Sequence, residues 1–220
     1  MPNPPPIRPA TVSPSMIALH WEHSSLYCRQ SDSDEKGQRH APARGHLTQP
    51  PLSARRDLPL PVSRQTGMLL YMLARGCGAQ TIVEFGTSFG ISTLHLAAAL
   101  RDNGGGRLIT SEFEPSKVAR ARNHLAAGGL SDLVKIREGD ALQTLSVDLP
   151  ETIDLLLLDG AKGLYPEILS QVESHLRPSA FIVADNANHS PDYLARVRSP
   201  GKGYLSMPLD DDVELSIRVC

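Results

Sequence analysis

The chain has 220 residues, with 22 Lys and Arg set against 24 Asp and Glu for a formal net charge of −2. That length fits one domain with a sizeable core plus some extra chain, and without a basic stripe nucleic acid is disfavoured as a partner. No apolar run approaches the roughly 20 residues that cross a bilayer, and Met1–Pro9 lacks the apolar core of a secretory signal. The three cysteines, Cys28, Cys77 and Cys220, are far apart and show no metal-ligand or redox spacing, so a reducing cytoplasm is the expected location.

Eleven of the 18 prolines fall in the first 61 residues, which divides the chain into a proline-rich segment, 1–60, and a regular domain, 61–220. Met1–Ser15 reads as disordered, Met16–Arg29 as a short helix of poor register, and Gln30–Pro51 as a mobile loop. His20-Trp21-Glu22-His23 lacks further ligands at metal spacing and reads as a partly apolar patch, with a lid as its expected role. From Ser63 the pattern becomes regular. Met68, Leu69, Met72 and Leu73 repeat at helical spacing over Ser63–Arg75, with Ser63 as N-cap and Gly76 just past the end. Thr81–Phe85 is a short buried strand, and Ile91–Arg101 a helix closed by Asn103-Gly104-Gly105-Gly106. Arg107–Glu112 is the next strand, and Pro115 opens a helix where a missing N–H costs nothing. That helix ends at Gly128-Gly129. Further strands follow at Leu133–Arg137, Ile153–Leu158 and Ala180–Ala184, the last two separated by a helix over Pro166–Leu176. The alternation predicts an α/β fold, a parallel sheet with helices on both faces. Tyr204–Leu209 and Val213–Val219 predict a closing antiparallel hairpin, with Asp210-Asp211-Asp212 as its solvated turn.

Three strand ends in succession carry polar groups in a nucleoside-like order. Val83-Glu84-Phe85-Gly86-Thr87-Ser88-Phe89-Gly90 ends the first strand and opens a helix, whose N-terminus presents free N–H groups. The glycine lets the backbone approach a ligand closely. The spacing is G-x-x-x-G rather than the G-x-G-x-x-G of dinucleotide binders. Glu112 ends the second strand, where a carboxylate accepts from both ribose hydroxyls, and Asp140 ends the third, where it faces an adenine amino group. Each acid alone reads as a solvated loop residue; the ordered trio favours a cofactor site. Asp159-Gly160-Ala161-Lys162 and Asp185-Asn186 end the next two strands. On neighbouring parallel strands they bring two carboxylates and an amide together: oxygen donors for a hard cation, with an amine one step away. His189 follows closely and reads as an exposed loop histidine.

With these residues in view, the chain resembles the class I S-adenosylmethionine-dependent methyltransferases, and within them the catechol and caffeoyl-CoA O-methyltransferase branch. The resemblance runs from about Pro61 onward and is most specific at Val83–Ser92, Leu158–Tyr165, Val183–Asn186 and Pro191–Arg198. It implies a Rossmann-like, seven-stranded, mostly parallel sheet of order 3-2-1-4-5-7-6. It implies that Glu84 and the turn after it, with Gly86, Thr87 and Ser88, hold the methionine end of S-adenosylmethionine, with Ser92 by that end, Glu112 at the ribose, Asp140 and Ala141 at the adenine, and Val62, Phe113 and Asp159 also binding the cofactor. Asp159, Asp185 and Asn186 match the family's Mg2+ ligands, and Lys162 its general base. Ala161 departs from the bulky aromatic of animal catechol enzymes.

The chemistry suits these residue types. A phenol has a pKa of about 10 and is mostly neutral near pH 7; a divalent cation stabilises its oxyanion and fixes its position. The expected activity is therefore methyl transfer to a hydroxyl of a small, catechol-like acceptor, with no nucleic acid or membrane partner and a homodimer left open. A metal-independent methyltransferase and a non-catalytic S-adenosylmethionine-binding protein are the alternatives.

Overall fold

The computed structural model describes residues 62–209 and 212–219. The expectations for 1–60, including the Met16–Arg29 helix and the His20–His23 patch, lie outside the described residues, as do Asp210, Asp211 and Cys220.

Strands and helices alternate as the apolar runs dictate. Helix α1 (Arg64–Gly76) is capped by Ser63, whose Oγ accepts from the Thr66 N–H at 3.0 Å. Strand β1 (Thr81–Phe85), α2 (Ile91–Asp102), β2 (Arg107–Glu112), α3 (Pro115–Ala127) and β3 (Val134–Glu138) follow. Then come the one-turn α4 (Ala141–Thr144), β4 (Ile153–Leu158), α5 (Tyr165–Val172), β5 (Leu176–Ala184), α6 (Pro191–Arg198) and the hairpin β6 (Tyr204–Leu209) and β7 (Val213–Arg218). The seven strands form one sheet of order β3-β2-β1-β4-β5-β7-β6. Strands β1 to β5 pair in parallel, and β7 pairs antiparallel with both β5 and β6. Order and class agree with the sequence reading.

A parallel sheet covered on both faces needs strands that are apolar on both sides. In β4, Leu155 to Leu158 are all fully buried. Leu156 and Leu158 join Val83, Phe85 and Ile182 on one face, under α5 and α6; Leu155 and Leu157 join Ile82, Leu108 and Val183 on the other, with Leu70 of α1 and Leu96 of α2. The period of two along each strand thus builds two cores, one per face.

Five elements depart from the sequence reading. The helix placed over Pro166–Leu176 ends its α part at Val172 and continues as a 3-10 turn, Glu173–His175. Leu176 instead opens β5, which is nine residues long and pairs Leu176 with Ile153 across a register shift. Ser179 takes φ 67 within that irregular stretch. Helices α4 and α6 were not read as elements. Gly76 lies inside α1, and Cys77 is the C-cap.

Asp154 ties three strand starts together. Its Oδ2 accepts from the Gln80 and Thr81 N–H groups at 2.8 Å each, and its Oδ1 from Arg177 Nε at 2.5 Å. Burial pushes this carboxyl up, but the Arg177 bond and the two N–H bonds outweigh it and hold it below the usual range. Asp154→Ala should therefore lower unfolding free energy by about 1–3 kcal/mol, since it leaves those donors short of a partner. A depressed carboxyl contributes stability above its unfolded pKa, about 3.9, and loses it as pH falls through the folded value. Denaturant titrations should show the stability gap between wild type and Asp154→Asn narrowing below about pH 4. A gap independent of pH would assign the effect to shape rather than charge.

Candidate active site

The strand order reverses between β1 and β4, the switch point at which ligands enter open α/β sheets. A cavity of about 1130 Å3 opens there. Register builds its floor. Phe85, Leu158 and Ala184 are successive Cα partners across β1, β4 and β5, so the next residues, Gly86, Asp159 and Asp185, leave the sheet abreast. The Asp159 N–H donates to Phe85 O at 2.8 Å and the Asp185 N–H to Leu158 O at 2.9 Å, extending the ladder by one step.

Lys162 stands between the two carboxylates. Its Nζ lies 3.1 Å from Asp159 Oδ1 and 3.9 Å from Asp185 Oδ2, and donates to Tyr165 Oη at 2.9 Å. A 3-10 turn over Lys162–Leu164, leading straight into α5, brings lysine and tyrosine to the same side three residues apart. Tyr165 is fully buried, with its hydroxyl 2.8 Å from both Leu158 O and Asp185 O. Burial, then the Asp159 and Asp185 charges, push that hydroxyl well above its ordinary value, so it stays a neutral donor. Burial also raises the Asp159 carboxyl; Lys162 opposes this and Asp185 adds to it. Asp185 is raised by burial against the same lysine. Two crowded carboxylates with one ammonium between them form a site where positive charge is at a premium.

Asn186 lies beside them with φ 49 and ψ 40, a left-handed conformation that asparagine tolerates better than most residues. Its Nδ2 donates to Asp212 Oδ2 at 3.0 Å. The donor set of Asp159, Asp185 and Asn186 is all oxygen, with Asp159 and Asp185 side chains 13% and 15% exposed. That chemistry fits a hard cation that keeps several waters, and the Lys162 ammonium occupies the place of positive charge. Among the described residues no three His, Cys, Asp or Glu side chains form a ready metal cage; a third side-chain donor would have to be the Asn186 amide oxygen.

At the other end of the cavity Glu112 is held by two backbone donors: the Ser88 N–H reaches Oε2 at 2.7 Å and the Glu114 N–H reaches Oε1 at 3.0 Å. Asp140 caps α4, its Oδ1 accepting from the Leu142 N–H at 2.9 Å. Phe113, next to Glu112, leaves 73% of its surface uncovered at the cavity edge. An apolar ring beside a fixed carboxylate and a capped helix start fits a ribose and a base.

Of the residues singled out in the sequence, Val62, Gly86, Ser88, Glu112, Phe113, Asp140, Ala141, Asp159, Lys162, Asp185 and Asn186 line this cavity. Glu84, Thr87 and Ser92 do not. Glu84 is fully buried below the turn, accepting from Ser92 Oγ at 2.5 Å and Thr93 Oγ1 at 2.6 Å, while Thr87 Oγ1 pairs with Thr110 Oγ1 at 2.6 Å. Burial raises the Glu84 carboxyl, and the hydroxyls partly offset this. Strand alternation explains the placement: Val83 and Phe85 face one core, so Glu84 turns to the other, beneath the first turn of α2. His189 is exposed.

The sequence reading missed the α1 contribution of Ser63, Gln65, Thr66 and Leu69, and also Ser111, Lys117 and Asp212. Nothing in the α1 pattern beyond its N-cap marks it as a wall. Asp212 is the exposed turn residue the sequence suggested, and it also returns to Asn186. Gly86 also needs its missing Cβ for a reason within the protein itself. At φ +102, a Cβ there would sit 2.6 Å from the Asp159 carbonyl and the Gly160 nitrogen, so the close approach is to β4's exit.

A methyltransferase-domain family model matches residues 83–187. The chain is 38% identical over 128 residues to the catechol O-methyltransferase of Niastella koreensis, covering 57% of each protein. It is 33% identical over 140 residues to the catechol O-methyltransferase of Mycobacterium tuberculosis, covering 63% of each. The matches thus span less than two thirds of either relative's length. Among solved structures, the Bacillus cereus O-methyltransferase in complex with SAH superposes with a TM-score of 0.67 at 25% identity, over 77% of this chain and 87% of that one. The Streptomyces achromogenes O-methyltransferase TomG in complex with SAM gives 0.67 at 27% identity, over 80% and 93%. With a methyltransferase-domain model over residues 83–187, two catechol O-methyltransferases at 33–38% identity and a backbone that superposes on O-methyltransferase complexes with SAH and SAM, the chain is similar to the S-adenosylmethionine-dependent O-methyltransferases, catechol O-methyltransferases among them.

Proposed function

We propose that this protein transfers the methyl group of S-adenosylmethionine to a hydroxyl of a small, vicinally hydroxylated aromatic acceptor, with a divalent cation on Asp159, Asp185 and Asn186 and with Lys162 as general base. One observation carries the reading: the β1-β4-β5 register sets Asp159 and Asp185 abreast, with Lys162 Nζ 3.1 and 3.9 Å from them, on the wall of the cavity that also holds Glu112. The cofactor, when bound, supplies an electrophilic methyl group, and the cation, when bound, stabilises an oxyanion. The chain does the rest. Glu112, oriented by two N–H groups, accepts from ribose hydroxyls. Phe113, Asp140 and Ala141 border the base. Tyr165 holds Nζ against the carboxylates; with a cation supplying the positive charge there, Lys162 would stand as the neutral amine, whose lone pair would take the proton of the acceptor hydroxyl. We place this activity in the cytoplasm, on small molecules.

A metal-independent reading has one observation in its favour: the Lys162 ammonium already bridges both carboxylates. A chelator separates the two. Incubated with S-adenosylmethionine and a panel of catechols, the protein should release S-adenosylhomocysteine and a monomethylated product. Activity should fall at least about tenfold in EDTA and return with Mg2+, the loss expected when charge stabilisation is removed. Full activity in EDTA favours the metal-independent reading. Absence of any methylated product from the panel contradicts the proposed acceptor class.

A further inference from the structure

Asp212 sits in the turn between β6 and β7, exposed, yet it reaches back to the loop after β5 at two adjacent points. Its Oδ2 accepts from Asn186 Nδ2 at 3.0 Å, 26 residues away in sequence, and its backbone carbonyl accepts from the Ala187 N–H at 2.8 Å. Both Asn186 and Asp212 line the cavity. A carboxylate accepts only from the nitrogen of an amide, never from its oxygen. This single bond therefore decides which end of the Asn186 side chain is spent and which is left over. The unspent atom is Oδ1, the only one of the two that can ligate a cation.

Asn186 needs that help. Its left-handed backbone fixes where the side chain leaves the main chain, but rotation of the amide group about the Cβ–Cγ bond is broad and roughly two-fold. Without a partner, nitrogen and oxygen would share the cavity-facing position. We propose that Asp212 is a positioning residue: by holding Nδ2 it presents Asn186 Oδ1 to the cation shared with Asp159 and Asp185, so the hairpin turn sets cation affinity. The inference rests on the cation reading above and extends it to a residue outside the ligand set.

The side chain can be tested apart from the turn, because the Asp212 carbonyl bond to Ala187 survives substitution. The probe is Mn2+, with bound and free ion counted by electron paramagnetic resonance in the presence of S-adenosylhomocysteine and no acceptor. Asp212→Ala should weaken Mn2+ binding about 10- to 100-fold, the usual effect of removing an outer partner of a metal ligand. Asp212→Asn keeps a carbonyl oxygen for Nδ2 and should stay within about threefold of wild type on the same argument. Added to Asn186→Ala, Asp212→Ala should cost nothing further, because the two act as a unit. Unchanged affinity in Asp212→Ala overturns the proposal. So does an equal loss in Asp212→Asn, or a further loss on top of Asn186→Ala, either of which makes Asp212 a ligand or a plain counter-charge. Failure of wild type to bind Mn2+ overturns both this inference and the cation reading. Wild-type binding that survives Asp159→Ala places the ion elsewhere and does the same.

Discussion

Lys162→Ala should lower kcat by about a hundred- to ten-thousand-fold, the range typical of a lost general base, and leave S-adenosylhomocysteine affinity nearly unchanged. The split follows from the layout. Lys162 contacts Asp159, Asp185 and Tyr165, whereas Glu112 and Asp140 are fixed by their own backbone N–H donors. Removing the amine also leaves two crowded carboxylates without their ammonium, so a purely electrostatic role must be separated from proton transfer. Lys162→Arg makes that separation: guanidinium keeps the charge but does not give up its proton near neutral pH. If Lys162 is the base, Arg should be about as poor as Ala, and an added primary amine should partly restore the Ala variant. Near-wild-type turnover in Lys162→Arg would reduce the lysine to a counter-ion.

Gly86→Ala should disable the site from the backbone outward. Its φ of +102 is strained for any residue with a Cβ, and that Cβ would meet the Asp159 carbonyl and the Gly160 nitrogen at 2.6 Å. These are main-chain atoms on β4's exit and cannot swing away as a side-chain tip would. The cost is the backbone strain of about 1–3 kcal/mol plus whatever β4 must shift, and the shift moves Asp159 itself. Expected together are a lower melting temperature, at least about a tenfold loss of S-adenosylhomocysteine affinity by the affinity arithmetic of such a strain, and a lower rate. Gly76→Ala is the control: no atom lies within 4 Å of its Cβ position and its φ is not positive. It sits in α1, where alanine is favoured over glycine by about 0.5–1 kcal/mol. Gly76→Ala should bind the cofactor product normally and melt no lower than wild type. Equal behaviour of the two variants would remove the close approach from the account.

What the sequence could say about the site depended on where each residue stands in its strand. Asp159 and Asp185 were legible because each directly follows an apolar run, and a run's end marks where the chain leaves the sheet. Glu112 was legible for the same reason. The burial of Glu84 was less so, since that residue falls inside β1, where alternation sends it to the face opposite Phe85 and under Ser92 and Thr93. Tyr165 and Asp212 act through contacts that no local pattern announces. One depends on a 3-10 turn stacking it under Lys162, the other on a hairpin folding back 26 residues to Asn186. The start of β5 was hidden because Arg177, Pro178 and Ser179 break the apolar run, and pairing with Ile153 extends the strand through them.

The central claim is that the ends of β4 and β5 gather the reacting groups at one place in the cavity. A crystal structure of the protein with S-adenosylhomocysteine, Mg2+ and catechol tests it directly. The account predicts one cation held by Asp159, Asp185 and Asn186 oxygens, ligated by catechol oxygen, with Lys162 Nζ within hydrogen-bonding distance of the hydroxyl nearest the sulfur. A cation bound elsewhere, or catechol seated away from Lys162, would contradict it.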